Sequence, residues 1–529
     1  MVKDIRGTRM KITLISIDNT IISHGMRSIS SYLKSKGHST QLVFMPTEET
    51  NFKNYPKSVL KDLFSLVKDS DLIGISSMAF SYQRGIQIIK YIKQYIAKPI
   101  IWGGVHATIC PEDCLKYADM VCLGEGEEAV LELVEKMSSS KDYLDTQNFW
   151  FRTNGKVIRN SLRPLTGNLD NYPFADYDLD TQIILKNERF FEGKEYFRNN
   201  PDQIYTGSIL IITARGCPYS CAFCANRFLN DLYKNEGKII RKRNLSLVLK
   251  EIIELKDKFP FARQLWISDD SFFLRDMEEL EMFVEEYRDK IDMPFQCNVH
   301  PGDVQEDKLE LLLKAKLNRI IMGIQTGSES FNRNVYKRLQ STEVVIKATS
   351  ILNKYHGEMD LPFYQFIISN PYETDNDLIE TIQLIRKIPK PFFLEIFNLV
   401  FFPGTELYNR ALKDKIIQGI KDSGSNLDYY DDLRHLFLKR HNLYLNTLIY
   451  CMRGYAVDNI IGIIPTNFID FLVQKRKSKL ARFYLSLIFI VLLTRIIHSK
   501  FLRRIFKNTI SNFVKKRLLS FSKSLSTNA

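Results

Sequence analysis

Two stretches of the chain alternate between short apolar runs and amphipathic helical patterns. The first covers residues 11 to 137, and its apolar runs are Lys11–Asp18, Thr40–Met45, Leu72–Ser77, Pro99–Gly104 and Met120–Leu123. Helical patterns separate these runs, near residues 26–36, 56–68 and 82–96, and another follows Glu127. This alternation predicts an α/β fold with a doubly wound parallel sheet. Ligands of such sheets bind at the carboxyl ends of the strands.

The second stretch, from about residue 207 to 415, predicts six β/α units. The expected strands are Ser208–Ala214, Gln264–Ser268, Pro294–Val299, Arg319–Ile324, Pro362–Ser369 and Phe397–Phe402. The expected helices lie near residues 243–258, 277–287, 307–315, 342–354, 374–387 and 405–414. Because a complete eight-unit barrel needs about 250 residues, this length favours a partial (β/α)6 barrel.

The patterns divide the chain into four segments. Residues 1–140 are predicted to form a Rossmann-like domain, and residues 141–205, which lack a clear period, are interpreted as a connector with some local structure. The partial barrel follows over residues 206–415. Residues 416–529 are expected to be helical and to end in a basic amphipathic tail.

Charge is concentrated at the C-terminus. The chain has 74 Lys and Arg against 61 Asp and Glu, a net charge of +13, and residues 475–529 hold 14 of the basic residues and no acidic one. A chain-wide nucleic-acid footprint is therefore excluded. Apolar residues alternate with the basic ones, which favours peripheral contact of residues 475–529 with an anionic membrane surface. Packing within the molecule is the main alternative, and binding to RNA or to a partner is a weaker one.

The sequence lacks the signals of export and of membrane insertion. Its N-terminus does not have the pattern of a signal peptide. The uncharged run Phe483–Thr494 has 12 residues, fewer than the roughly 20 that a spanning helix needs. We expect a cytoplasmic protein with reduced thiols, in peripheral contact with the cytoplasmic face of the membrane.

A cysteine motif follows the first strand of the second stretch. Cys217, Cys221 and Cys224 occur in the sequence GCPYSCAFC. Three thiolates on one loop can hold three irons of a [4Fe–4S] cluster and leave the fourth iron open. Two alternatives are a zinc site, which usually needs four protein ligands, and three buried core cysteines.

The Cys-x3-Cys-x-Phe-Cys motif resembles that of the radical S-adenosylmethionine (SAM) superfamily. Short segments beginning at Ser268, Gly323, Ile368 and Phe402 are similar to further motifs of that family, in the same order. The resemblance implies that the open iron binds SAM and that SAM is cleaved to a 5′-deoxyadenosyl radical. The residues that it marks as SAM contacts are Phe223, Asp269, Asp270, Gln325 and Glu373.

The first stretch looks like the cobalamin-binding domain that one branch of this superfamily carries in front of its barrel. The resemblance rests on Gly103–Thr108, Gly124–Glu128 and Asn168–Asp176. The residues that it marks as cobalamin contacts are Ser76, Gly103, Gly104, His106, Gly124 and Glu125. The Asp-x-His-x-x-Gly signature of other cobalamin proteins is absent, so a sheet that has lost its ligand is the alternative.

The resemblance implies an enzyme that transfers a methyl group to an unactivated carbon, with a [4Fe–4S] cluster, SAM and cobalamin as cofactors. The basic tail favours an apolar, lipid-like or membrane-associated substrate. One alternative is an oxidative cyclase or rearrangement enzyme without methyl transfer, and another is a non-catalytic membrane-associated iron–sulfur sensor. A reduced electron donor such as ferredoxin or flavodoxin is the expected partner, and no nucleic acid is expected. No catalytic residue is assigned.

Overall fold

The computed structural model describes residues 9–18, 20–46, 54–200, 207–418 and 442–498, without the side chains of residues 494–498. The chain divides into two compact units. The first unit comprises Met1–Asp270, Glu281–Phe295 and Val400–Tyr429. The second unit comprises Ser271–Leu280, Gln296–Leu399 and Tyr430–Ala529. The boundaries of the four segments given above remain a prediction.

A nine-stranded sheet dominates the first unit. Its strands are β1 (Lys11–Ser16), β2 (Ser39–Phe44), β3 (Leu72–Ser76), β4 (Ile100–Gly103), β5 (Met120–Cys122), β6 (Phe149–Thr153), β7 (Lys156–Arg159), β8 (Gln182–Lys186) and β9 (Arg189–Glu192). The strand order is β7-β6-β5-β4-β3-β1-β2-β8-β9. The strands from β5 to β8 in this order are parallel, while β6, β7 and β9 are antiparallel to their neighbours.

Helices connect the parallel strands of this sheet. They are α1 (His24–Ser35), α2 (Lys57–Val67), α3 (Tyr82–Lys93), α4 (Val105–Ile109), α5 (Pro111–Leu115), α6 (Glu127–Ser138) and, after β9, α7 (Gly193–Asn199). The side chains of β3 and β5 are almost entirely buried, as expected for parallel strands covered on both faces. The doubly wound fold predicted for the N-terminal stretch is confirmed.

The interpretation of residues 141–205 as a connector overlooked two β-hairpins, β6–β7 and β8–β9. The turn of the first hairpin is Asn154–Gly155, and both residues have positive φ angles, 48° and 74°. Asn-Gly is the strongest sequence signal for such a turn. The hairpins extend the predicted five-stranded sheet at both edges.

The rest of the first unit carries the cysteine motif. Strand β10 (Ser208–Ile211) precedes a short strand, β11 (Ala214–Arg215), which pairs antiparallel with β12 (Arg241–Lys242). Helix α8 (Ala225–Leu232) lies between β11 and β12, and α9 (Leu245–Lys258) follows them. Strand β13 (Gln264–Ile267) pairs with β10 in parallel. Helix α10 (Met277–Lys290) crosses the division between the units.

The second unit contains a mixed sheet and the C-terminal helices. Its strands are β14 (Phe295–Val299), β15 (Leu317–Gln325), β16 (Phe363–Ile368), β17 (Phe392–Asn398), β18 (Gly454–Val457), β19 (Ile460–Ile461) and β20 (Ile464–Pro465). Strands β15, β16 and β17 are parallel, whereas β18, β19 and β20 are antiparallel additions. The remaining helices are α11 (Glu306–Lys314), α12 (Glu329–Phe331), α13 (Thr342–Lys354), α14 (Asp375–Lys387), α15 (Glu406–Lys413, in the first unit), α16 (Leu443–Cys451), α17 (Thr466–Gln474) and α18 (Lys479–His498).

All six strands predicted for residues 207–415 are present, but the last was placed five residues too late. The strand is Phe392–Asn398 rather than Phe397–Phe402. The apolar run continues past the end of the strand, and the buried residues 399–401 fall outside it. The predicted helical C-terminus is confirmed for the described residues 442–498, apart from β18–β20.

No helix among the described residues is long and apolar enough to cross a membrane. The greater part of the predicted membrane-contacting tail, residues 499–529, lies outside the described residues.

Candidate functional site

A cavity of about 610 Å³ opens at the carboxyl ends of the parallel strands in the first unit. Asp18, Ser76 and Gly103 contribute to its wall from the ends of β1, β3 and β4. The strand order reverses between β1 and β3, and such a switch point is where doubly wound sheets bind their ligands. The volume lies within the range of small-molecule sites.

Two glycines bring the backbone close to this cavity. Gly104 has a φ of 90°, and a Cβ atom there would stand 2.7 Å from Oγ of Ser76. Gly124 has a φ of 68°, and a Cβ atom there would stand 1.6 Å from the hydroxyl oxygen of Tyr233. Neither position tolerates a side chain, because Ser76 and Tyr233 fill the space that it would need.

Five of the six residues expected to contact cobalamin meet at this cavity. They are Ser76, Gly103, Gly104, Gly124 and Glu125. The sixth, His106, is buried outside the residues that line it, and its ring packs against Tyr82 at a centroid distance of 4.5 Å. Burial lowers the pKa of His106 to about 4, so the ring is neutral at pH 7.

Ion pairs fasten the loop that follows β5 to the β11–β12 pair. Arg241 binds the Glu125 carboxylate with two hydrogen bonds of 2.9 and 2.6 Å. Arg215 approaches Glu127 at 2.6 Å and Glu125 at 3.3 Å. Tyr233 adds a hydrogen bond, since its hydroxyl oxygen accepts the backbone N–H of Glu125 at 3.0 Å.

Arg215 and Glu127 stabilise each other's charge against the effect of burial. Burial alone would raise the pKa of the Glu127 carboxyl, but the Arg215 guanidinium outweighs it and holds the pKa below its usual value. Burial likewise opposes the charge on Arg215, and Glu127 and Glu125 raise the pKa of Arg215 in spite of it. Both groups are therefore charged at neutral pH.

Two further titratable side chains line the cavity. Burial raises the pKa of Asp18 to about 6, against the opposing effect of hydrogen bonds from Met78 N–H and Ser16. Burial, with the nearby cations of Arg27, Arg215 and Arg243, lowers the pKa of His24 to about 3. The Nε2 atom of His24 is buried without a hydrogen-bond partner among the described residues.

Five residues of the cavity wall were not predicted from the sequence: three from the β11–α8–β12 segment and two from the N-terminal region, one after β1 and one at the start of α1. The missed residues are Asp18, His24, Arg215, Tyr233 and Arg241. The acidic loop Gly124–Glu128 was a usable signal, because carboxylates so close to a buried strand require basic partners. Which of the 74 basic residues supply them is not a local property of the sequence.

The cysteine motif forms the loop between β11 and α8. Gly216 has a φ of 94°, and a Cβ atom there would stand 2.2 Å from the carbonyl oxygen of Ile239. The backbone N–H of Cys224 donates to the carbonyl of Cys221 at 3.1 Å, and Asn230 donates to the carbonyl of Cys217 at 2.9 Å. A glycine turn and these hydrogen bonds fix the path of the loop.

The three thiols form no disulfide and are close enough to interact. Burial raises the pKa of Cys217 to about 12, and the charges of Asp270, Cys224 and Cys221 raise it further. Among the described residues, no three His, Cys, Asp or Glu side chains converge on one point as ligands of a single metal ion. A cube-shaped cluster does not require such convergence, because each thiolate binds a different iron.

Three of the residues expected to contact SAM lie in the first unit, near this loop or at the end of β13. Both carboxylate oxygens of Asp269 accept hydrogen bonds from residue 213, and one also accepts from the Ala214 N–H at 3.0 Å. Asp269 therefore ties the end of β13 to the segment that joins β10 to β11. Asp270 lines the cavity and accepts a hydrogen bond of 2.7 Å from Asn226, and crowding by protein atoms raises its pKa. Phe223 is half-buried within the cysteine loop.

The other two such residues lie in the second unit. Gln325 has a φ of 76°, and its Nε2 atom lies 2.5 Å from the position of a Cβ atom on Gly323. Glu373 is buried and accepts the backbone N–H of Asn370 at 3.1 Å. Its own carbonyl accepts a hydrogen bond of 2.7 Å from Asn442. Glu373 thus stabilises the loop between β16 and α14.

Two family models match the chain, one over most of each predicted alternation. The model described as Radical SAM superfamily matches residues 211–385. The model described as B12 binding domain matches residues 10–134.

The curated relatives include methyltransferases as well as a cyclase. An uncharacterised methyltransferase of Pyrococcus horikoshii is 22% identical over 397 residues, which are 74% of this chain and 79% of the relative. The bacteriochlorophyllide d C-8(2)-methyltransferase of Chlorobaculum tepidum is 24% identical over 362 residues, 66% of this chain and 70% of the relative.

A solved structure shares the fold. The radical SAM methyltransferase TsrM from Kitasatospora setae, solved with tryptophan substrate and a SAM analogue, superposes with a TM-score of 0.61. The match covers 77% of this chain and 76% of TsrM at 14% sequence identity.

Proposed function

The chain belongs to the radical SAM superfamily and carries a B12-binding domain, and we propose that it transfers a methyl group to an unactivated carbon of an apolar or membrane-associated small molecule. It is a radical SAM enzyme of a cobalamin-dependent methyltransferase family. Its cofactors are a [4Fe–4S] cluster, SAM and cobalamin. When bound, the cluster and SAM supply a carbon radical and cobalamin supplies the methyl group.

The donor set of the cysteine loop fits an iron–sulfur cluster. Cys217, Cys221 and Cys224 are soft ligands, free of disulfides, on a loop whose backbone is fixed by Gly216. We assign the three thiolates as the cluster ligands. Burial disfavours the negative charge of Cys217, and bound iron offsets that penalty.

The cavity of the first unit fits cobalamin. Its wall includes the backbone of Gly104 and Gly124 and the hydroxyl of Ser76. Hydroxyl and backbone amide groups can bind the polar substituents of such a ligand. We assign Ser76, Gly103, Gly104, Gly124 and Glu125 as contacts, and we leave out His106 because its ring is packed elsewhere.

Asp270 is the favoured contact for SAM in the first unit. It is exposed at the cavity, and its carboxylate suits the ammonium of an amino acid. Asp269 acts indirectly, because its carboxylate holds the backbone of residues 213 and 214. Phe223, Gln325 and Glu373 remain proposed contacts, and Glu373 acts through the loop that it stabilises.

Two features support an apolar or membrane-associated substrate. Helix α18 exposes large apolar side chains along its length, at positions Leu480, Phe483, Tyr484, Leu487, Ile490 and Val491. Residues 475–529 hold 14 basic and no acidic side chains. Apolar and basic groups together favour contact with an anionic membrane surface, where lipid-like substrates reside. A reduced ferredoxin or flavodoxin is the proposed electron donor.

Product analysis tests the reaction. The full-length protein is purified anaerobically, supplied with iron, sulfide, cobalamin and a reductant, and incubated with SAM. Methyl transfer by this chemistry yields both S-adenosylhomocysteine and 5′-deoxyadenosine. Formation of 5′-deoxyadenosine without S-adenosylhomocysteine, when a methyl-accepting substrate is present, would contradict methyl transfer.

Cys221→Ala tests the cluster assignment. We expect the iron–sulfur absorption to be lost and SAM cleavage to fall to background, because one of three ligands is missing. Cys110→Ala is the matched control, since Cys110 is a half-exposed free cysteine in the N-terminal sheet region. Retention of the absorption and of cleavage in Cys221→Ala would show that the ligands are wrongly assigned.

A further inference from the structure

The parallel strands of the second unit have one buried and one half-exposed face. Along β16 and β17 the exposure alternates strictly, so that Tyr364, Phe366, Leu394 and Ile396 are buried. The residues between them are half-buried, and β15 shows the same alternation from Ile320 to Gln325. The half-exposed side chains of the three strands share one face, because successive side chains point to opposite faces.

Strand register arranges these side chains in layers. The first layer pairs Ile321 with Phe363 and Phe363 with Phe393. The middle layer pairs Gly323 with Gln365 and Gln365 with Glu395. At the carboxyl ends, Ile367 pairs with Phe397.

The first layer is a closed apolar base. The rings of Phe363 and Phe393 stack at a centroid distance of 4.7 Å, and Tyr455 meets Phe393 edge-on at 5.0 Å. Arg319 lies over the Phe363 ring at 4.8 Å, and its charge is compensated by Asp360 at 2.7 Å. The base therefore offers apolar contact area and no unpaired charge, with Phe393 and Arg319 packed on the Phe363 ring.

The middle layer holds a carboxylate without a counter-charge. Gln365 donates a hydrogen bond of 2.9 Å to Oε2 of Glu395. In the part of the chain that the structure describes, this is the one hydrogen bond of Glu395, and no Lys, Arg or His forms an ion pair with it. Its Oε1 atom is not among the buried unpaired atoms, so it keeps some exposed surface.

A half-buried carboxylate among aromatic and aliphatic side chains is costly to leave unpaired. Gly323 adds no side chain to this layer, and the Nε2 atom of Gln325 lies 2.5 Å from the position of a Cβ atom on Gly323. Phe397 and Ile367 form an apolar wall at the carboxyl ends of the strands. Active sites of such sheets lie at this end. The face thus combines an apolar floor, an apolar wall and one anionic acceptor.

We propose that Glu395, held by Gln365, binds a cationic or hydrogen-bond-donating group of the substrate, whose flat apolar body rests on Phe363, Phe393 and Phe397. This inference rests on the proposed function for its substrate, and it adds the class: an aromatic or polycyclic small molecule with an ammonium, N–H or hydroxyl donor. Glu395 is accordingly a specificity-determining residue.

Three probes with one ring system and different charge test the proposal. Binding of protonated 2-naphthylmethylamine, 2-naphthalenemethanol and 2-naphthoate to the full-length, cluster-reconstituted protein is measured by equilibrium dialysis. We expect the ammonium to bind about tenfold or more tighter than the carboxylate, as a charge-assisted hydrogen bond requires. Equal affinities, or no binding of any probe, would overturn the proposal.

Substitutions then locate the preference. Glu395→Gln should lower the affinity for the ammonium by about tenfold and change that for the alcohol by less than about threefold. Gln365→Lys keeps the Glu395 carboxylate but gives it an internal counter-charge. It should therefore abolish the tighter binding of the ammonium relative to the carboxylate. Phe397→Ala should weaken all three probes equally. Glu358→Gln removes an exposed carboxylate of the same unit and should change nothing.

Two outcomes separate this inference from the proposed function. Binding is read without SAM cleavage, so a protein that discriminates the probes and fails to transfer methyl supports Glu395 and contradicts the reaction. A protein that transfers methyl but keeps its probe preference in folded Glu395→Gln and Gln365→Lys contradicts Glu395. Thermal melting of each variant verifies that it is folded.

Discussion

Tyr233 occupies the space that any side chain at position 124 would need. Its hydroxyl oxygen accepts the Glu125 N–H at 3.0 Å, and a Cβ atom on Gly124 would overlap it at 1.6 Å. The cavity wall after β5 is therefore shaped by a tyrosine that follows the cysteine loop by nine positions. A side chain at position 124 would displace that tyrosine.

Gly124→Ala should lower the free energy of unfolding by about 3 kcal/mol, because it adds a steric overlap to a left-handed backbone conformation. Urea denaturation followed by circular dichroism measures the loss. Gly103→Ala is the control, since a Cβ atom there meets its nearest neighbour at 3.9 Å, an ordinary contact. Recovery of part of the loss in Gly124→Ala/Tyr233→Ala would identify Tyr233 as the obstacle, and no recovery would contradict this.

The β11–β12 pair is the element that binds the N-terminal sheet to the cysteine loop. It presents Arg215 and Arg241 to the loop after β5, where Glu127 is 3% exposed and Arg241 is 4% exposed. A buried carboxylate of this kind depends on its partner, because desolvation opposes its charge.

Arg215→Met should therefore destabilise the protein by about 3–5 kcal/mol, the cost of leaving a buried charge unpaired. The second variant, Arg215→Met/Glu127→Gln, should recover most of that loss, since no charge remains to be paired. Lys93→Met removes a more exposed pair with Asp119 at 2.6 Å and should cost less than about 1 kcal/mol. Urea denaturation of the four proteins measures these losses. Equal losses in Arg215→Met and Lys93→Met would contradict a dependence of Glu127 on Arg215.

Elements were easier to predict from the sequence than the contacts between them. Apolar runs such as Leu72–Ser76 locate strands, because a strand covered on both faces must be apolar throughout. The β6–β7 hairpin was missed because periodicity was weighed above its Asn154–Gly155 turn. The pairs of Arg215 with Glu127 and of Arg241 with Glu125 join residues 88 and 116 positions apart, and no local pattern encodes such a distance. The exclusion of His106 from the cavity likewise depends on the orientation of α4.

At the scale of the whole molecule, charge and exposed apolar surface coincide near the C-terminus. One side of α18 is buried through Ala481, Leu485 and Phe489, while Phe483 and Leu487 are 58% and 44% exposed. The residues after α18 add eight basic and no acidic side chains over positions 499–529. An apolar stripe with a cationic extension is typical of a surface that lies on lipid.

Phe483→Ser/Leu487→Ser/Ile490→Ser should weaken binding to phosphatidylglycerol vesicles several-fold, because these changes remove the exposed apolar face and leave the buried face of α18 intact. Deletion of residues 499–529 should remove the salt-sensitive part of the binding. Cosedimentation measures both effects, with phosphatidylcholine vesicles as the uncharged control. Equal binding of all three proteins to the anionic vesicles would contradict membrane contact.

The ion pairs of Glu125 and Glu127 with Arg215 and Arg241 also limit which substitutions this protein can accept. If the segment before residue 140 were replaced by that of a relative, a different loop after β5 would face Arg215 and Arg241. A chimera without Glu125 and Glu127 would leave the guanidinium groups of Arg215 and Arg241 without these partners, and Arg241 is only 4% exposed. The loop after β5 and the β11–β12 pair must therefore be exchanged together.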